Sequence, residues 1–173
     1  MRTLFVIDKK NYIENGSIGY RPSVRGIIIK DDKIALIYSK KFNYYKFPGG
    51  GIDEGESHIQ TLIREVNEES GLDVKPHTIK EFGYVQRIEK GMIEDIFVQE
   101  NFYYLCETDD TIGSQSLDDY EDDEGFELQF VTPQYAIDVN EKGIHDEKSR
   151  KSTFNGMLER DTRVLKMIID ELM

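Results

Sequence analysis

The sequence predicts a mixed α/β fold, in which a β-sheet carries packed helices. Short apolar segments rich in β-branched residues lie on both sides of one well-delimited amphipathic helix. A second amphipathic stretch lies near the C-terminus. The 173 residues, of which 38% are hydrophobic, are enough for a real core, and we expect residues 1–173 to form a single domain.

Six segments have the length and composition of strands, because β-branched and aromatic residues suit a pleated, half-buried surface. They are residues 24–30, 34–38, 44–47, 72–74, 79–87 and 96–106. The first two are joined by residues 31–33 and are expected to form a hairpin. The single cysteine, Cys106, ends the last segment and is expected to be a buried strand residue.

The central helix has clear ends. Ser57 is predicted as its N-cap, with Gln60 in the reciprocal position of a capping box. Gly71 tolerates the left-handed conformation that ends helices. One buried face follows the i, i+3, i+4, i+7 spacing through Ile59, Leu62, Ile63 and Val66.

Two further helices are predicted towards the C-terminus. Thr132 followed by Pro133 is typical of a helix start, because proline is tolerated in the first turn. Apolar residues between positions 157 and 169 recur with helical spacing. We therefore expect an amphipathic helix there.

Three carboxylates, Glu65, Glu68 and Glu69, flank the apolar face of the central helix and form one acidic patch. Glu68 and Glu69 lie in the last turn, where the helix dipole disfavours negative charge by about 0.3–1 kcal/mol each. A divalent cation would turn this repulsion into attraction, and an all-oxygen ligand set favours Mg²⁺ or Mn²⁺ over zinc. A solvated acidic face is the alternative, since penalties of this size are tolerable on a surface.

A glycine run, Gly49, Gly50 and Gly51, precedes the helix. Without β-carbons, these residues allow backbone amides to approach a phosphate or the carboxylate helix closely. A plain turn after Pro48 is the alternative for the run taken alone. The run is not a P-loop, because no Gly-Lys-Ser/Thr follows it.

The full pattern is Gly50, five other residues, Glu56, seven other residues, and then REVNEESGL at residues 64–72. This pattern resembles the signature of the Nudix hydrolases at every fixed position. The resemblance implies an α/β/α sandwich with a mixed central sheet, formed by one Nudix domain. It also implies metal-dependent hydrolysis of the pyrophosphate bond in a nucleoside diphosphate linked to another group, such as a nucleotide sugar, a dinucleotide or a nucleoside triphosphate.

The resemblance also implies roles for the signature residues. Glu65, Glu68 and Glu69 would hold Mg²⁺ or Mn²⁺, and one of them, or a glutamate from a loop, would be the general base. Arg64 would hold Glu68 in place. Two other classes share the fold and are left open: an isoprenoid-diphosphate isomerase, which needs a catalytic cysteine, and a non-catalytic module that senses a nucleotide ligand.

Basic residues near the glycine run are candidates to contact substrate phosphate. Arg21 and Arg25 lie at the start of a predicted strand, and Lys46 lies just before the run. Together with Gly49 and Gly50, we expect Arg25 and Lys46 to bind substrate. For each of the three basic residues, a surface role is the alternative.

The formal net charge of −12 argues against binding to a nucleic-acid backbone or an anionic membrane. The partner expected is a small nucleotide-type molecule. The apolar run at residues 4–7 is too short for a signal-peptide core or a membrane span, so a cytoplasmic protein is expected. A homodimer is left open.

The segment 107–127 holds ten acidic residues and no lysine or arginine. Its composition predicts a solvated, mobile loop. A second interpretation is that this loop supplies a further metal ligand or the general base. The candidates are Asp118, Glu121, Asp122, Asp123, Glu124 and Glu127.

Overall fold

The computed structural model describes residues 1–143, 145 and 152–173, with side chains from residue 154 onward in the last range. The strands are β1 Thr3–Asp8, β2 Ile18–Tyr20, β3 Ser23–Ile27, β4 Ile29–Lys30, β5 Lys33–Ser39, β6 Tyr44–Lys46, β7 Leu72–Val74, β8 Lys80–Glu89, β9 Ile96–Leu105, β10 Thr108–Ile112 and β11 Phe126–Val131. The helices are α1 His58–Ser70, α2 Asp119–Glu124, α3 Pro133–Lys142 and α4 Ser152–Leu172, with a 3₁₀ turn at Pro76–Thr78.

The largest sheet is mixed, as predicted. Its order is β1-β8-β9-β2, with β3 also paired to β9. β8 and β9 are antiparallel, whereas β1 runs parallel to β8, and β2 and β3 run parallel to β9. An antiparallel sheet contains β11, β5 and β4, with β6 also on β5, and β10 pairs with β7 in a small third sheet.

Helices cover two sides of this β-structure. Leu62 and Val66 of α1 pack with Val24 and Leu72 in one core cluster. A second cluster brings α3 and α4 together with the strand residues Ile34, Leu36 and Tyr103 and with Phe47, which follows β6. The α/β/α arrangement is therefore confirmed.

The local helix signals are confirmed in detail. Ser57 and Gln60 form the capping box of α1, and Gly71 ends the helix with φ 70°. The hydroxyl of Thr132 accepts a hydrogen bond from the amide of Tyr135 at the start of α3. All six predicted strand segments contain strands, although residues 24–30 divide into β3 and β4 around Ile28.

The structure corrects the prediction made for the acidic segment 107–127. Residues 107–127 contain β10, α2 and the start of β11, and β11 pairs with β5 from Ile34 to Ser39. The prediction of a solvated loop is wrong because part of its charge is buried or paired. Glu121 and Glu124 are buried, while Lys41 pairs with Asp123 and Lys40 with Glu127, both at 2.5 Å. The strands β1 and β2 were also not predicted.

A side chain closes one strand edge. The carboxamide of Asn140 in α3 accepts from the amide of Tyr45 at 2.8 Å and donates to the carbonyl of Tyr45 at 3.0 Å. Both backbone groups that Tyr45 turns away from β5 are thereby satisfied. This contact ties α3 to β6, directly before the glycine run.

Among the described residues, no helix has the length and apolar character needed to cross a membrane.

Candidate active site

A cleft of about 380 Å³ lies between the glycine run, α1 and the segment leading into α2. All three carboxylates predicted on the central helix line it, together with Arg64, Gly50 and Arg21. The predicted acidic patch is therefore real. Its members, however, have different partners.

The glycine run is held against β3 and faces α1. The amide of Val24 donates to the carbonyl of Gly50 at 2.9 Å, and the amide of Gly26 donates to the carbonyl of Pro48 at 2.9 Å. Gly49 has φ +135°, and a β-carbon on it would lie 2.2 Å from the carbonyl oxygen of Val24. Glycine is therefore required at position 49 by both conformation and space.

Arg64 holds three carboxylates at once. Its guanidinium forms a two-pronged contact with Glu56 at 2.9 and 2.8 Å. It also donates to Glu65 at 2.8 Å and to Glu68 at 3.0 Å. Hydrogen bonds from Arg64 lower the pKa of Glu56 to about 2. The contact with Glu68 was predicted, whereas the anchoring role of Glu56 was not.

Glu65 and Glu68 differ in exposure. The side chain of Glu65 is 15% exposed and that of Glu68 is 42% exposed. Burial raises the pKa of Glu65, and the hydrogen bond from Arg64 opposes that effect. Arg64 therefore holds the mostly buried carboxylate of Glu65 next to the solvent-exposed carboxylate of Glu68.

Glu69 points inward. Its carboxylate accepts from Nζ of Lys46 at 2.6 Å and from the amide of Gly49 at 2.9 Å. Burial raises the pKa of Glu69 to about 7, although Lys46 and Arg25 act in the opposite direction. Lys46 thus lies against Glu69 instead of standing free in the cleft, and its predicted contact with substrate stays a prediction.

Two of the six acidic candidates from residues 107–127 line the cleft, Asp118 and Glu121. Glu121 is 5% exposed. It accepts from the hydroxyl of Tyr120 at 2.8 Å and from the amide of Asp118 at 3.1 Å. Nζ of Lys46 lies 3.9 Å from Glu121, so Lys46 lies between the carboxylates of Glu69 and Glu121.

The other four candidates have different surroundings. Glu124 accepts from the hydroxyl of Tyr44 at 2.8 Å in the interior. Asp123 and Glu127 pair with lysines, and Asp122 lines a separate surface cavity. None of these four lines the carboxylate cleft.

A short connection fixes α2 relative to α1. The amide of Gly113 donates to the carbonyl of Gly71 at 2.7 Å, and the amide of Ser116 donates to that of Glu68 at 2.8 Å. Nε2 of Gln115 donates to the carbonyl of Glu69. These donors satisfy carbonyls that the last turn of a helix leaves without partners. They also place Glu121 over the end of α1 that carries Glu68 and Glu69.

The donor set fits a hard divalent cation in kind, because the cleft gathers carboxylate oxygens. Within the described ranges, no three Asp, Glu, His or Cys side chains are arranged to hold a metal ion. The reason is that Arg64 engages Glu65 and Glu68, while Lys46 engages Glu69. For a metal ion to bind in the cleft, these carboxylates would have to exchange Arg64 and Lys46 for the metal ion.

Sequence reasoning did not single out Arg87 or Arg160, which the structure places next to the carboxylate cleft. They line a second cavity of about 470 Å³, whose wall shares Arg21 and Tyr120 with the carboxylate cleft. A signal was present for both. Arg87 alternates with Val85 on the buried face of β8, and Arg160 lies beside the apolar stripe of α4.

Comparison with known families decides the assignment. A family model described as the NUDIX domain matches residues 19–152. The chain belongs to the NUDIX family. This confirms the resemblance that the signature at residues 50–72 carries. The cleft lined by Arg64 and the three glutamates is therefore the NUDIX signature region in three dimensions.

Curated relatives match over part of their length. An RNA pyrophosphohydrolase of Marinomonas sp. is 40% identical over 90 residues, which is 51% of this chain and 54% of the relative. An RNA pyrophosphohydrolase of Psychromonas ingrahamii is 45% identical over 64 residues, 36% of this chain and 34% of the relative. The chain thus spans between about a third and about half of the length of these relatives.

Solved structures support the fold. A NUDIX hydrolase from Nitrosomonas europaea aligns with a TM-score of 0.56 at 18% identity, covering 84% of this chain and 90% of that one. A MutT NUDIX hydrolase from Burkholderia pseudomallei aligns with a TM-score of 0.54 at 20% identity, covering 67% of this chain and 85% of that one. At this identity the likeness shows the NUDIX fold alone.

Proposed function

We propose that this NUDIX protein is a pyrophosphohydrolase, which cleaves the pyrophosphate bond of a nucleoside diphosphate linked to another group. One observation carries the proposal: six carboxylates line a single cleft, and they come from the turn after the glycine run, from α1 and from the start of α2. They are Asp53, Glu65, Glu68, Glu69, Asp118 and Glu121. Such a concentration of oxygen donors suits a divalent cation and opposes an anionic substrate without one.

Mg²⁺ or Mn²⁺ is the cofactor of this proposal, with Glu65, Glu68 and Glu69 as its ligands. The cation would neutralise phosphate oxygens and lower the pKa of a bound water. Arg64 positions Glu65 and Glu68 through hydrogen bonds of 2.8 and 3.0 Å. Gly49 and Gly50 provide the close backbone approach, and the buried Glu121 supplies a further metal ligand or the general base.

The two alternative classes have less support. An isomerase of this fold needs a catalytic cysteine, but Cys106 lies in the core cluster under α1 and burial raises its pKa to about 12. A sensing module would be expected to lack signature carboxylates. All of them are present in this chain.

Two substrate classes are favoured by different observations. The resemblance favours a small nucleotide, namely a nucleotide sugar, a dinucleotide or a nucleoside triphosphate. The names of the curated relatives favour RNA as a second candidate. The net charge of −12 opposes extended contact with an RNA backbone. A cytoplasmic location and a homodimer remain predictions.

The test is a substrate screen with Mg²⁺ and with Mn²⁺ that reads nucleotide and phosphate release. Nucleotide sugars, dinucleotides, nucleoside triphosphates and 5′-triphosphorylated RNA are compared. Glu68→Gln should lower turnover by about 10²-fold or more, because it removes a charged metal ligand. Glu141→Gln, an exposed glutamate on α3, is the matched control. Wild-type turnover in Glu68→Gln would refute the metal site.

A further inference from the structure

A second cavity adjoins the carboxylate cleft and has the opposite charge. It is about 470 Å³ in volume and is lined by Arg21, Arg25, Arg87 and Arg160. Because Arg21 and Tyr120 line both cavities, the two are neighbours around the same residues. Half of the eight arginines in a chain of net charge −12 thus line one pocket.

The arginines of this pocket are not all neutralised. Arg87 pairs with Glu89 at 2.5 Å, and Arg160 pairs with Asp161 at 2.7 Å. Among the residues that the structure describes, no carboxylate forms an ion pair with Arg21 or Arg25. Arg21 and Arg25 therefore lack the close carboxylate partner that Arg87 and Arg160 each have.

Two of the guanidinium groups have polar atoms without partners. Arg160 is only 1% exposed, and its Nη2 has no hydrogen-bond partner in the described part of the chain. Nε of Arg25 is likewise buried and unpartnered. A buried charged donor left unsatisfied is destabilising. Because both residues line the pocket, an anion bound there is a candidate partner for these donors.

The backbone of α4 makes room for this pocket. A β-carbon on Gly156 would lie 2.6 Å from Nη2 of Arg87. Glycine within a helix is less favourable than alanine. Gly156 therefore lowers the stability of α4 but leaves space for the Arg87 guanidinium.

We propose that the arginine pocket binds a phosphate group of the substrate, one that lies beyond the pyrophosphate under attack. Guanidinium groups match phosphate through paired N–H donors, and several converging arginines suit its high charge. The proposal rests on the pyrophosphohydrolase function, since it makes the pocket part of the same substrate site. It narrows the substrate to molecules that carry a further phosphate.

The first experiment needs no catalysis. Binding of inorganic phosphate to the metal-free protein is measured by calorimetry at low ionic strength, where charge interactions are least screened. Without metal, the six carboxylates of the cleft repel phosphate, so saturable binding reports on the arginine pocket. Absence of saturable binding in the wild type would overturn the proposal.

Variants then locate the binding. Arg25→Gln removes an unpaired charge and should weaken phosphate binding about tenfold, the scale of a charged hydrogen bond. Gly156→Ala keeps every charge but displaces the Arg87 guanidinium, and it should weaken binding several-fold. Lys166→Gln, which removes an exposed charge on α4, is the control. Wild-type affinity in both Arg25→Gln and Gly156→Ala would overturn the proposal.

Matched ligands identify the source of the phosphate. NADPH and NADH differ by one phosphomonoester, and a 5′-triphosphorylated dinucleotide differs from ATP mainly by one nucleotide and its phosphodiester. In each pair, NADPH or the triphosphorylated dinucleotide carries the additional phosphate. Tighter binding of that member, with the difference lost in Arg25→Gln, supports the proposal. If inorganic phosphate binds but neither pair shows a preference, the pocket serves free phosphate and the proposal fails.

These measurements separate the two claims. Binding and ligand preference are read without hydrolysis, so an inactive protein with an intact arginine pocket would refute the proposed activity alone. Hydrolysis without phosphate binding in the pocket would refute this inference alone.

Discussion

A β-carbon at position 50 would lie 2.2 Å from Oε2 of Glu65. The obstructed atom is the end of a flexible side chain, so a substitution would displace the Glu65 carboxylate more than it would disrupt the backbone. We expect Gly50→Val to lower turnover by about 10²-fold, the effect of misplacing a reacting or ligating group by roughly 1 Å.

The control for this prediction is Glu54→Gln, at an exposed position of the same turn that does not line the cleft. It should keep activity within a few-fold of the wild type. Turnover with Mg²⁺ and the unfolding temperature are measured for both variants. Equal tolerance at the two positions would show that the glycine run is only a turn.

The acidic segment should act through the residues that reach the cleft. Among its six candidate acids, we expect Glu121→Gln to slow turnover by about 10²-fold at saturating Mg²⁺, because the substitution removes a buried carboxylate beside Lys46. Asp122→Asn and Asp123→Asn should change turnover by less than a few-fold. Equal effects at all positions would indicate a general charge effect and no specific role for Glu121.

Glu56 should make stability depend on pH. Its pKa is lowered from 4.5 to about 2 by Arg64, so the folded protein binds this proton less readily than the unfolded chain does. The stabilisation by this pair is then present above about pH 4.5 and is lost as the pH falls towards 2. We expect the difference in unfolding temperature between wild type and Glu56→Gln to shrink over that range. The same difference for the neighbouring variant Glu54→Gln should show no such trend.

The thiol of Cys106 should be unreactive in the folded protein. Burial raises its pKa from 9.0 to about 12, so almost no thiolate is present at pH 8. Iodoacetamide should label the protein in denaturant but not in its absence, as read by mass spectrometry. Because Cys106 is the single cysteine, every adduct reports on it. Rapid labelling of the native protein would reopen the isomerase alternative.

The parts that the sequence predicted well are those set by neighbouring residues. The ends of α1 follow from Ser57, Gln60 and Gly71, all of which act within one turn of the helix. A close approach of the glycine run to the carboxylate helix was also expected, and the structure places Gly50 beside Glu65. Local signals of this kind need no knowledge of the remaining chain.

The acidic segment was predicted wrongly because its partners are distant in sequence. Glu124 is buried through Tyr44, and Lys40 and Lys41 neutralise its neighbours. A count of charges within the segment contains none of this information. Arg87 and Arg160 were missed for a related reason. Each forms an ion pair with a carboxylate within two residues in sequence. They line one pocket only because the fold brings β8 and α4 together.

The contact between Asn140 and Tyr45 has a consequence for self-association. An exposed strand edge is a template on which another chain can add a strand, and this is a common route to aggregation. The Asn140 carboxamide already occupies the donor and acceptor that β6 would offer at Tyr45. Copies of this protein therefore cannot join into a continuous sheet there, and a partner must approach by another face.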